Sequence, residues 1–113
     1  MNWNKLESEA QLEQIKTASQ ENPVLIFKHS TRCPISSMAL NRIERSWKEE
    51  EMKTVSPYYL DLISLRNISS KTAEVFDVQH ESPQVLLIDK GSCIYNASHM
   101  SISYEEIKKA AKI

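Results

Sequence analysis

The sequence predicts an α/β domain in which helices cover both faces of a mixed four-stranded sheet. Short apolar runs at Val24–Lys28, Val55–Leu62 and Gln84–Ile88 alternate with stretches of helical periodicity. The turn sequence Asp89-Lys90-Gly91-Ser92 joins the third run directly to Cys93–Asn96, as in a hairpin. The length of 113 residues suits one domain, 1–113, with a core that needs no disulfide staples.

Ser8-Glu9-Ala10-Gln11 has capping-box form, and Leu12, Ile15 and Ala18 follow at helical spacing, so the first helix covers about 8–19. Glu21-Asn22-Pro23 breaks that pattern. Val24–Lys28 then reads as a strand buried on both faces and central in its sheet. Ile35, Ala39, Ile43 and Trp47 form one apolar stripe of a second helix over about 34–50. Pro34 suits its first turn, where a missing N–H costs nothing. Val55–Leu62 is the second strand, and Pro57, which cannot donate to a ladder, puts it at a sheet edge.

Ile68, Val75 and Phe76 mark a third helix at about 67–77. Gln84–Ile88 and Cys93–Asn96 are the third and fourth strands. The last helix starts at Ser103, with Glu106 completing a capping box and Ile102 and Ile107 a hydrophobic staple; Tyr104, Ile107 and Ala111 then face the sheet. The element order is αβαβαββα. A strand–helix–strand unit requires a parallel, right-handed crossover, and the closing hairpin adds its strands antiparallel. A central first strand and an edge at Pro57 give the spatial order 2-1-3-4.

Composition removes several function classes. Hydrophobic residues are 41% and charged residues 26%, with a formal net charge of -1. No field recruits nucleic acid or an anionic membrane. No stretch approaches the ~18 apolar residues of a membrane span. The polar start Met1–Ser8 has no signal core, so a cytoplasmic location, with thiols kept reduced, is expected. The single glycine, Gly91, rules out phosphate-cradling loops and dinucleotide fingerprints.

Ser30-Thr31-Arg32-Cys33-Pro34-Ile35-Ser36 carries the chemistry. Cys33 falls at a strand-to-helix turn, where free backbone N–H groups and the helix dipole favour negative charge. Arg32 is a cation one residue away and acts in the same direction, toward the reactive thiolate. Thr31 adds a polar neighbour. Where a dithiol protein would carry its second cysteine, three residues on, this chain has Ser36. The Ser36 hydroxyl either donates to the Cys33 sulfur or is a plain first-turn polar residue; in neither case does it resolve a mixed disulfide.

Pro83, after His80-Glu81-Ser82, precedes the third strand, and the topology brings this loop beside Cys33. A cis peptide there would aim the Ser82 backbone N–H and C=O at a docking chain. Cys93, at the start of the fourth strand, reads as buried and inert. His29 and His80 read as surface histidines near the reactive turn. The three histidines and two cysteines show no C-x-x-C or H-x₃₋₅-H spacing, so no metal site is expected.

The block Ile26-Phe27-Lys28-His29-Ser30-Thr31-Arg32-Cys33-Pro34-Ile35-Ser36-Ser37 closely resembles the signature of the YtxJ-like monothiol bacilliredoxins, and the likeness runs from Trp3 and Leu6 through Ser82-Pro83 to the final helix. The resemblance implies a thioredoxin-like fold, Cys33 as the redox cysteine, Pro83 as the cis-proline opposite it, and action on proteins carrying bacillithiol mixed disulfides. The reading is a monothiol disulfide oxidoreductase that removes bacillithiol from client proteins. It needs no bound cofactor; bacillithiol is the co-substrate and S-bacillithiolated proteins are the partners of an expected monomer. Two alternatives stand beside it: a dithiol cycle between Cys33 and Cys93, and a thioredoxin-like binding or stress module that does no catalysis.

Overall fold

The computed structural model describes residues 1–113. In chain order its elements are β1 (Asn4–Lys5), α1 (Glu9–Ala18), β2 (Val24–His29), α2 (Pro34–Ser46), α3 (Glu49–Met52), β3 (Ser56–Asp61), α4 (Arg66–Phe76), β4 (Gln84–Asp89), β5 (Ser92–Ser98), a 3₁₀ turn (His99–Ser101) and α5 (Tyr104–Ala110). The sheet has five strands in the order β1-β3-β2-β4-β5. β1, β3 and β2 run parallel; β4 is antiparallel to β2, and β5 to β4.

All six residues of β2 are buried, as a central strand requires. Its alternate side chains feed two cores. Leu25 and Phe27 join Ala39 and Ile43 of α2 and Tyr104 and Ile107 of α5. Val24 and Ile26 join Leu12 and Ile15 of α1 and Ile68 and Phe76 of α4. Each of these large side chains contributes roughly 1.5–3 kcal/mol by leaving water, so the two layers lock the sheet between helix pairs.

The expected four strands keep their order, but a fifth is added. β1 pairs with β3 at Asn4↔Tyr58 and Lys5↔Tyr59, so the Pro57 strand is not the edge. Ser56 N–H donates to Pro23 C=O and Leu62 N–H to His29 C=O, which places the even-numbered donors toward β2. Pro57 turns its ring nitrogen to the other side, where the two-residue β1 begins only at Tyr58. Proline is tolerated because no acceptor opposes it. A two-residue strand carries no period, so β1 was invisible to pattern reading.

The second helix ends at Ser46 rather than near 50. Trp47 takes an extended conformation and packs edge-on against Tyr104, and the chain restarts in α3 to bury Met52. Ile35 is also off its expected stripe. It is 44% exposed because its neighbour Ser36 takes the inward position of the first turn, bonded to the end of β2, while Ala39, Ile43 and Trp47 are buried.

Candidate functional site

β2 ends at His29, and the chain turns through Ser30-Thr31-Arg32 into α2. Cys33 is the N-cap, in extended conformation, and Pro34 starts the helix. Its N–H donates to Ser30 C=O at 3.1 Å, and its C=O accepts from Ser37 N–H at 3.1 Å. Residues at this position face free N–H groups of the first turn. Cys33 is half-buried, and Thr31, Arg32 and Pro34 around it are exposed. Arg32, the residue before Cys33, is exposed and makes no ion pair. Cys33 lines no cavity; half-buried between exposed neighbours, it sits at the molecular surface.

Ser36 is wholly buried one turn into α2. Its oxygen accepts from Ser30 N–H at 3.0 Å and lies 2.7 Å from His29 Nδ1. His29 is 5% exposed, not a surface residue as the sequence suggested. It alternates onto the α2 face of β2 with Leu25 and Phe27, and its ring packs against Phe27 and Tyr59. Burial pushes its pKa down against the opposing pull of the Asp61 and Glu44 carboxylates. Ser36 Oγ, already accepting from Ser30 N–H, shares a second hydrogen bond with His29 Nδ1. Ser36 therefore ties the end of β2 to α2, and no hydrogen bond joins it to Cys33.

The second half of the site comes from the loop before β4. The Ser82–Pro83 peptide is cis. Lys28 pairs with Gln84, so the register carries Pro83 and Ser82 to the end of β2, where the Cys33 turn begins. The C=O of Pro83 accepts from His99 N–H at 3.0 Å, which joins the loop to the 3₁₀ turn packed against α2. The Ser82 N–H and C=O have no partner within the molecule. The structure thus gathers Thr31, Arg32, Cys33, Pro34, Ser36, Ser82 and Pro83 at one end of the sheet.

Cys93 does not join them. It pairs with Ile88, which pairs with Val24 at the opposite end of β2. Five strand steps at ~3.3 Å put roughly 16 Å between that end and His29. A disulfide needs Cα atoms within ~7 Å, so a Cys33–Cys93 cycle is excluded without large backbone movement. The Cys93 Sγ donates to Tyr95 C=O, and burial pushes its pKa up.

The family model for the monothiol bacilliredoxin BrxC matches residues 4–107. The chain belongs to this family. A solved structure described as a candidate oxidoreductase with a thioredoxin fold is 31% identical at TM-score 0.79, over 94% of this chain and 90% of its own. Thioredoxin from Trypanosoma brucei brucei superposes at TM-score 0.74 with 14% identity, over 98% of this chain and 88% of its own. Thioredoxin of Malassezia sympodialis, Mala s 13, does so at 0.75 with 15%, over 98% and 89%. These two speak for the thioredoxin-like fold alone. The chain is a monothiol oxidoreductase of bacilliredoxin type, and its redox partners are bacillithiol-related. No helix is long and apolar enough to cross a membrane.

Sequence reading missed three buried polar residues behind the site: Lys28, His29 and Gln84. Lys28 carried a signal, being a lysine at the end of a run read as buried on both faces.

Proposed function

We propose that this bacilliredoxin removes bacillithiol from S-bacillithiolated proteins through Cys33. The carrying observation is a lone thiol capping α2 at the molecular surface, with Ser36 where a resolving sulfur would be and the other cysteine a strand length away. The Cys33 thiolate attacks the bacillithiol sulfur of the mixed disulfide. The S–S bond of the substrate breaks, the client leaves as a thiolate that takes a proton from water, and Cys33 holds bacillithiol as a new disulfide. Free bacillithiol thiolate then attacks the bacillithiol sulfur of that adduct, giving bacillithiol disulfide and regenerating the Cys33 thiolate. Sulfur redox states balance at each step, and no bound cofactor is needed.

The first-turn N–H groups of α2 face the charge that develops on sulfur during exchange. The free Ser82 N–H and C=O offer strand-like pairing to the client backbone. A site at the surface suits a protein-sized substrate better than a closed pocket would. The working species is a monomer in the cytoplasm, where such clients form. The experiment is intact mass spectrometry after mixing with a single-cysteine reporter protein carrying bacillithiol. Wild type and C93S should each gain one bacillithiol and release it to free bacillithiol, while C33S gains none. Adduct formation by C33S, or an internal disulfide in wild type, would overturn the assignment.

A further inference from the structure

Two fully buried long polar side chains lie next to each other in the layer under α1 and α4. They are Lys28 on β2 and its register partner Gln84 on β4. Lys28 has no carboxylate partner. Its ammonium donates to Ser69 C=O of α4 and to His80 Nδ1, each at 3.3 Å. Ser69 Oγ also reaches His80 Nδ1, at 3.3 Å. An ammonium only donates, so this nitrogen is unprotonated and His80 is neutral; burial and the Lys28 charge both push its pKa down, against Glu81. Gln84 works on the same loop from its other side. Its Nε2 donates to Gln79 C=O at 3.0 Å, and its Oε1 accepts from Glu81 N–H at 3.4 Å.

All the side-chain bonds of these two residues thus go to α4 or to the segment 79–81, the approach to Ser82 and Pro83. A buried unpaired ammonium is costly, and an apolar residue of equal size would serve the core better. Geometry explains its retention. The loop's other ties are few, the Pro83 C=O to His99 N–H bond among them, and the outer side of Ser69 and His80 is not packed but borders a cavity of about 210 Å³ lined by Leu62, Arg66 and Ser70.

We infer that Lys28, seconded by Gln84, is a positioning residue that clamps the His80–Pro83 loop and so sets where the Ser82 backbone meets the client disulfide. This rests on the proposed exchange at Cys33. Lys28 touches neither sulfur, so its effect falls on substrate capture rather than on bond exchange.

The test is steady-state turnover of the bacillithiolated reporter by wild type, K28M, H80A and H80N, with thermal midpoints measured in parallel. K28M should raise KM three- to tenfold with kcat within twofold, while its midpoint holds or rises. A lysine that served only to stabilise the fold would instead lower the midpoint in K28M and leave KM alone. His80 is largely exposed, so H80A keeps the fold and should raise KM similarly; H80N, whose Oδ1 stands where Nδ1 accepts from Lys28, should stay within twofold of wild type. A KM within twofold of wild type in both K28M and H80A overturns the clamp, as does a fall in kcat at unchanged KM. If wild type itself fails to take up bacillithiol at Cys33, it is the exchange reaction that fails, and the two results are distinguishable.

Discussion

A lysine sealed under a sheet makes its own proton part of folding. Burial lowers Lys28 from 10.5 to about 8. The unfolded chain therefore holds that proton more tightly than the folded one, and the stability deficit present below about pH 8 shrinks as pH climbs toward 10.5. At about 1.4 kcal/mol per pKa unit, stability should gain about 1.5 kcal/mol between pH 8 and 9.5. Cys93 and the tyrosines, whose pKa values burial raises, contribute the opposite slope. They do so equally in K28M, so the difference in urea unfolding between wild type and K28M isolates Lys28; a pH-independent difference would remove the assigned burial cost. His29 follows the same sign at lower pH: its depressed pKa withdraws stability as pH falls below about 6.5. The positions of Cys33 at the cap and Ser36 in the first turn were legible from spacing, because cap position and helix turn are local. The partner of Ser36 was not, because His29 reaches it only once β2 and α2 are packed.

Element by element, the caps were as readable as the strands. Ser8 and Gln11 form the expected capping box on α1. Gln11 does more than cap: its Oε1 accepts from Glu7 and Ser8 N–H, and its Nε2 donates to Lys5 C=O at 2.8 Å, tying α1 to β1. Q11A should cost about 1–2 kcal/mol in chemical denaturation and expose the Lys5 and Leu6 amides to hydrogen exchange. Unchanged exchange at Leu6 would show that β1 holds without it. Ser103 caps α5 through Glu106 N–H, and Ile102 and Ile107 are both buried. The second helix was read too long because Trp47 continues the i, i+4 spacing. Its pull toward Tyr104 across the core, a contact 57 positions away in sequence, ends the helix instead.

For the molecule as a whole, β1 closes the sheet on the β3 side. Leu6 is wholly buried in the α1/α4 core, while Trp3 packs edge-on against Phe27 and Tyr59 and donates Nε1–H to Glu44 at 2.8 Å. Removing residues 1–6 deletes both anchors and opens the Tyr58–Tyr59 edge. We expect a loss of several kcal/mol and concentration-dependent association, read by thermal melts and sedimentation velocity. A stable monomeric truncation would show that β3 tolerates being an edge, as the sequence suggested.

The sequence by itself determined the α/β class, the order of the four long strands, the reactive turn and the single-sulfur spacing. The class, the turn and the spacing follow from periodicity or from contacts within one helical turn; the strand order follows from the crossover rule and a doubly buried β2, although the Pro57 edge that went with it was overturned. Tertiary structure alone decided the fifth strand, the burial of Lys28, His29 and Gln84, and the separation of Cys93 from Cys33. Those depend on which residues meet across strands and layers, and pairing energy between distant segments leaves no local trace in the order of residues.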